Sequence, residues 1–509
     1  MKNNVKTLLV LLLLLLPALY YGLGARPVYK IQEVRIAETA REMIASGDWL
    51  VPRYNGELRL QKPPLPYWLT AISYRVLGID EKAVRLPAVL FGMLAALLLF
   101  AWVRRASGLE VAANTALVLV TSYIGLRYFR SGEADAPLLF FISAACLLGY
   151  RMLQGGATQA QLLLFYAALG LGFFTKGPAA IAIPVLTLIL YAWMEKRTAS
   201  LKSCLHPLGL VLFVLLAFGW YAWIVWSMPD AAQHFVGKQV DETFVSGTHA
   251  KPAWWYLAHM LEFYMPWSFL LIPAGIWAYK HRPLPAPVRF SLVWLAVVFV
   301  LLTFTVNKQM QYALLFAPPI AILLGHYLQA ATGGFARCNR ILFWLACLAF
   351  LGMLGYAWHK HAAAGLLSFA GPLLLLVPLL LLGPLLAKKL MATQAPAYPV
   401  LLVAGLMAVG YLYAEQNLSS EPQKTGVQAL MTEASRYEPL YQAAPGDGSV
   451  SYYAGRVVLA IKDENLAQLL AIQPEIWLVA KEMPTAQGIL IKPWHREGDV
   501  TLWKLNRAQ

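Results

Sequence analysis

Apolar residues along the chain fall in long unbroken runs, unlike the alternation of a strand or the one-sided stripe of a soluble helix. Runs near 86–103, 110–127, 136–153, 160–175, 178–194, 207–227, 254–279, 288–306, 311–330, 339–358, 365–387 and 398–414 read as membrane helices, for which a span needs about 20 residues. A run at 5–24, with a basic start and no small-residue exit, is too long for a cleavable leader and counts as the first span. The pattern predicts thirteen spans, two of which, near 160–194, are short enough to be half-helices. Two stretches exceed mere connectors: 25–84, read as a helical segment outside the membrane, and 228–253, which re-enters through Trp254, Trp255 and Tyr256. After 414 the runs stop. Residues 415–509 mix a helix-like stretch at 423–436 with strand-like ones at 449–461, 475–480 and 498–505, which predicts a small α/β domain. The expected division is a membrane domain, 1–414, that includes both loops, and an outer domain, 415–509.

Composition agrees with a polytopic α-helical membrane protein. Of 509 residues 59% are hydrophobic and 13% charged, against about 25% charged in soluble domains. The four cysteines lie in or beside apolar runs, so no bridge is expected. The net charge of +15 has a topological explanation rather than a nucleic-acid one. With the N-terminus cytoplasmic, fifteen Lys and Arg fall in inside segments and seven outside, leaving aside the first long loop. This bias predicts a cytoplasmic N-terminus and an extracytoplasmic C-terminal domain. No phosphate-binding or dinucleotide glycine fingerprint stands in a strand-helix context, so ATP-driven transport is not expected. A transporter or flippase would more often carry inverted repeats and mid-span charges, whereas the charges here cluster at outer ends.

Chemistry-bearing residues gather at those outer ends. Wound as a helix, the stretch from Tyr29 to Ser46 puts Arg35, Glu38, Arg41 and Glu42 on one face and Ile36, Ala37, Ala40, Met43 and Ile44 on the other. This is the pattern of a helix lying in the membrane interface. Glu33 falls among the apolar residues, either as a carboxylate needing a partner or cavity or as an ordinary first-turn acid. Lys62 precedes Pro63 and Pro64, and Lys176 and Lys308 sit at span ends. Each reads either as a snorkelling anchor or, with the others, as part of a basic pocket for an anionic headgroup. Glu133 and Asp135 open the fourth span beside Arg127 and Arg130, and ion pairing with Arg130 is the simplest reading of Asp135. Gln311 and Tyr312 accompany Lys308. His249 and His259 flank the aromatic re-entry without a metal-ligand spacing.

Taken in order, Glu33-Val-Arg35, Ala40-Arg41-Glu42-Met43, Ser46-Gly47-Asp48-Trp49 and Lys62-Pro63-Pro64-Leu65 with Tyr67-Trp68 resemble the first outer loop of bacterial glycosyltransferases of the protein mannosyltransferase superfamily. These have the GT-C fold and include the aminoarabinose transferases that modify lipid A. The resemblance continues through Thr175-Lys176-Gly177, His249, Pro266-Trp267 and Asn307-Lys308 to Tyr312, and includes Ser451-Tyr452-Tyr453-Ala454-Gly455-Arg456. It implies an inverting transfer of a sugar from a polyprenyl-phosphate carrier to a hydroxyl of lipid A or another envelope glycan, lipid or protein, at the outer face of the bacterial inner membrane. Arg35, Lys62, Lys176, Lys308 and Tyr312 correspond to a donor-phosphate pocket, and Gln32, Gln61 and His249 to a candidate substrate loop. An acidic pair in the first loop usually carries the essential Asp; here it is Gln32-Glu33, and Gln cannot take a proton. Glu33 and Asp135, which matches the superfamily's second carboxylate, are therefore the candidate bases. The acid many relatives place before the Lys-Pro pair is Gln61 here, which removes the ligand on which a divalent metal site would be built. A divalent metal is the one cofactor the resemblance leaves open, and the loss of that acid counts against it. Loss of activity with retained carrier binding, or transfer to protein as in the O-mannosyltransferases, are the alternatives that the resemblance leaves.

Overall fold

In the computed structural model the described residues are 16, 19–230, 250–331, 337, 341, 422–486 and 488–507. The expected spans at 339–358, 365–387 and 398–414, most of the first span and of the loop at 228–253, His249, Cys338 and Cys347 lie outside them. The described residues form two compact units: one from 19–21, 88–130, 134–230 and 250–331, the other from 22–87, 131–133, 422–486 and 488–507. The first outer loop and the C-terminal segment thus share one unit.

The loop begins with helix α1, Ile31–Ser46, continues through the hairpin β1, Arg53–Tyr54, and β2, Glu57–Leu58, and ends with α2, Leu65–Leu77. Helix α3, Glu81–Ser107, runs on into the membrane unit. There follow α4, Leu109–Thr121; α5, Tyr123–Tyr128; α6, Asp135–Leu153; α7, Gln159–Lys176; α8, Ala179–Met194; and α9, Pro207–Ser227. After the undescribed loop come single turns at Trp255–Ala258 and Met260–Phe263, then α10, Leu271–Lys280; α11, Ala286–Phe304; and α12, Ala317–Ala330, which continues the 3-10 stretch Met310–Phe316. Among the described residues five helices are long and apolar enough to cross a membrane: α3, α6, α9, α11 and the stretch Met310–Ala330.

Neighbouring helices pack in the chain α9, α7, α6, α8, α11, α12, α4. Helix α12 is buried on nearly every side, whereas α9 turns Leu215 (64% exposed) and Trp226 (81%) outward. An outward apolar face of this kind marks a membrane or protein contact. The run read as one span at 110–127 is broken at Ser122, whose hydroxyl caps α5 by accepting from the Gly125 N–H at 3.2 Å. Helix α7 begins with a reciprocal cap in which Thr158 and Gln161 satisfy each other's backbone N–H groups. The two runs near 160–194 form α7 and α8, of 18 and 16 residues.

The charged face of the 31–46 helix is not a water face. Glu38, Arg41 and Glu42 are buried. Arg41 grips both oxygens of Glu38 at 2.7 Å and donates to the Gly455 carbonyl, while Glu42 accepts the Gly56 N–H. Periodicity identified two faces, but residues of both are buried, and α2 and the C-terminal segment both pack against the helix. The exposed apolar stripe lies on α2, at Ile72 and Val76, 53% and 75% exposed.

The C-terminal segment is a mixed sheet in the order β4-β3-β5-β7-β6. Its strands are β3, Leu440–Ala443; β4, Ala460–Ile461; β5, Glu475–Ala480; β6, Ile489–Glu497; and β7, Val500–Arg507. Strand β5 alternates: Trp477 and Val479 join the core with α13, Pro422–Ala434, while Ile476 and Leu478 join that with α15, Asp463–Ile472. The strand expected over 449–461 is instead helix α14, Gly448–Ala454, followed only by the two-residue β4. Asp447 caps α14 by accepting from Ser449, and Gly455 ends it at φ +69°. These end signals overrode the strand propensity of Val450, Tyr452 and Tyr453.

Candidate active site

Two clusters of charge contain both candidate bases, one in each unit. In the membrane unit Asp135 is the first residue of α6, where the helix dipole favours an anion, and Lys176 is the last of α7, where it favours a cation. The Lys176 ammonium donates to both Asp135 oxygens, at 2.7 and 2.8 Å. It also stands 5.3 Å from the centroid of the Tyr312 ring, within cation-π range. Asp135 is 4% exposed and its partner's side chain 17%, so the pair is largely removed from water. Its ion pair is thus with Lys176 and not the one with Arg130 that proximity in sequence had suggested; Arg130 donates to the Leu19 carbonyl. Lys308, 4% exposed, donates to the Thr305 carbonyl.

In the other unit Glu33 is completely buried. Arg85 approaches it through Nε at 2.8 Å and Nη2 at 3.2 Å, Arg26 at 3.2 Å, and the Gly132 N–H at 2.9 Å. The remaining Arg85 N–H groups bind the carbonyls of Leu23, Arg26 and Pro27, so all five donors of the guanidinium are used. Gly132 is required by this approach: a Cβ there would lie 2.3 Å from the Val84 side chain and 3.1 Å from Glu33 Cγ. Burial by itself raises the Glu33 pKa, but Arg26 and Arg85 outweigh it and hold the carboxyl well below its ordinary value. A carboxylate so bound is a poor proton acceptor and a strong clamp.

The remaining sequence candidates are spread over both units. Gln32, Arg35 and Lys62 are half-buried in the first loop. Gln61 is also half-buried, and its amide oxygen is buried without a hydrogen-bond partner. The Gln61 amide brings no negative charge to a divalent cation, and among the described residues no three His, Cys, Asp or Glu side chains gather as metal ligands. The residue pattern missed Arg26 and Arg85. Arg85 lies 52 residues from Glu33, and no periodicity links them.

Residues 61–223 match the dolichyl-phosphate-mannose-protein mannosyltransferase family. The undecaprenyl phosphate-alpha-4-amino-4-deoxy-L-arabinose arabinosyl transferase of Edwardsiella ictaluri is 31% identical over 331 residues, covering 64% of this chain and 60% of that enzyme. The enzyme of the same description from Serratia proteamaculans is 28% identical over 448 residues, covering 82% and 78%. In four curated relatives the match spans between 60% and 66% of their length. The crystal structure of ArnT from Cupriavidus metallidurans bound to undecaprenyl phosphate superposes with a TM-score of 0.80 at 19% identity, over 97% of both chains. The helical membrane part and the C-terminal sheet domain thus follow one known architecture, that of a protein of the bacterial inner membrane. The chain is a GT-C membrane protein of the aminoarabinose-transferase-like kind within the protein mannosyltransferase superfamily.

Proposed function

We propose that the protein moves a monosaccharide, with inversion, from a polyprenyl-phosphate carrier such as undecaprenyl phosphate to a hydroxyl of an envelope acceptor such as lipid A. The reaction takes place on the periplasmic face, with residues 1–414 as the catalytic domain, the N-terminus in the cytoplasm and 415–509 in the periplasm. The observation that carries this reading is the Asp135–Lys176 pair, a carboxylate and an ammonium held together at adjoining helix ends. The relatives named for undecaprenyl-phosphate-linked sugar transfer support it.

An arriving carrier phosphate competes with Asp135 for the Lys176 ammonium. As Lys176 shifts to the phosphate, both Asp135 oxygens become available to the acceptor hydroxyl. The acceptor oxygen attacks the anomeric carbon, its proton passes to Asp135, and the bond from the anomeric carbon to the phosphate oxygen breaks. The polyprenyl phosphate leaves with the electron pair, its charge balanced by Lys176 and Lys308, with Tyr312 beside Lys176. Arg35 and Lys62, both on the first loop, are candidate contacts for an anionic headgroup. Glu33 is a clamp rather than the base: it fixes Gly132, three residues before Asp135 in the chain.

Mass spectrometry of lipid A, membrane lipids and envelope glycans from cells with and without the protein tests this. A sugar absent from the deletion strain, restored by the wild type and not by Asp135→Asn, is the expected result. Identical profiles in all strains would leave the chain as a carrier-binding protein without turnover.

A further inference from the structure

We propose that Tyr453, on α14 of the C-terminal segment, is a positioning residue for the transfer reaction; the inference rests on the function proposed above. Its hydroxyl accepts the Val28 N–H at 2.7 Å and donates to Glu81 at 2.9 Å. Val28 is fully buried, and a buried N–H left without a partner is costly, so this contact fixes the backbone there. Val28 adjoins the strap whose carbonyls, at Leu23, Arg26 and Pro27, receive three of the Arg85 hydrogen bonds. Glu81 lies one helical turn before Arg85 on α3, on the same face. One phenol therefore staples the strap to the helical turn that carries Arg85.

From Arg85 the contacts continue without a gap: Arg85 to Glu33, and Glu33 to the Gly132 N–H. The chain then reaches Asp135 in three residues. Burial, and then the charge of Glu81, push the Tyr453 pKa up, so the hydroxyl keeps the proton it donates. A second contact holds the same helix end, the Arg41 guanidinium donating to the Gly455 carbonyl at 2.9 Å. Gln428 also donates to the Glu81 oxygen that Tyr453 engages, so the C-terminal segment grips this carboxylate from two elements. The C-terminal segment thereby takes part in holding residues 131–133, which precede Asp135 in the chain.

The experiment adds purified full-length protein to the envelope fraction of a deletion strain, which supplies donor and acceptor. The initial rate is expressed per site that binds radiolabelled undecaprenyl phosphate. Tyr453→Phe is expected to retain undecaprenyl phosphate sites and to lose about tenfold in rate per site, since small displacements of reacting groups are costly. Glu81→Leu should fall comparably, the double variant no further than either alone, and Glu81→Gln, which keeps an oxygen for the hydroxyl, should recover most of the rate. A rate per site at the wild-type level in Tyr453→Phe would overturn the inference. So would a loss explained wholly by fewer binding sites, because that is what a purely structural role produces. A wild-type protein that transfers nothing would instead remove the function on which the inference rests.

Discussion

Glu33 and Asp135 are both buried carboxylates with cationic partners, but they are suited to opposite tasks. Glu33 is bound by two guanidiniums and a backbone N–H, whereas Asp135 has a single ammonium on a flexible stem, which an anionic ligand can draw away. Asp135→Asn should lower turnover at least a hundredfold while leaving undecaprenyl phosphate binding measurable, in line with the roughly 10²–10⁴-fold usual for a general base. Arg85→Met strips Glu33 of its bidentate partner and should destabilise the protein by about 3–5 kcal/mol, the usual range for breaking a buried pair, seen as a lower unfolding temperature in detergent. Glu33 also sets an acid limit. Its folded pKa lies below the ordinary 4.5, so its stabilisation is fully present above that value and is lost as the pH falls towards the folded one. Unfolding temperatures measured from pH 7 down to pH 3 should drop below about pH 4.5, and the drop should be smaller in Glu33→Gln. The sequence left Glu33 open between a carboxylate in need of a partner and an ordinary first-turn acid, and in the structure it has three partners. The sequence did not reveal those partners, because ion pairs across 52 residues leave no local pattern.

Among the elements, end signals and burial corrected what periodicity suggested. The stretch 449–461 reads as strand by its β-branched and aromatic residues, but Asp447 and Gly455 bracket a single short helix. The helix at 31–46 is amphipathic in sequence and buried on both faces, since Arg41 donates to both Glu38 oxygens and Glu42 accepts the Gly56 N–H. Helix α2, with Ile72 and Val76 outward, is the loop helix suited to a lipid surface. Replacing Ile72 and Val76 together by Asp should leave the fold intact and reduce the rate of transfer from carrier embedded in vesicles more than from carrier in detergent. At Gly132 the approach of the Val84 and Glu33 side chains leaves no room for a Cβ. Gly132→Ala should therefore cost about 1–3 kcal/mol, the usual penalty for overpacking, measurable by thermal unfolding.

For the whole molecule, hydrophobic runs and the asymmetry of Lys and Arg determined a polytopic protein with a predicted direction across the membrane. In a variant with its native cysteines replaced by serine, a membrane-impermeant thiol reagent applied to spheroplasts should label a cysteine placed at Glu482 and spare one placed at Gly155. The reverse pattern would invert the topology. The sequence by itself determined the membrane class, the strands over 475–480 and 498–505 and the helix near 423–436, because period and length are local properties of a chain. It also determined that a glutamine occupies position 32, so that any proton acceptor had to be found elsewhere. Only the tertiary structure decided that Lys176 is the partner of Asp135, that Arg26 and Arg85 hold Glu33, and that the first loop and the C-terminal segment form one unit. Each of these joins residues far apart in the chain, and such pairings follow from how buried charges are satisfied when the helices pack, which no local pattern encodes.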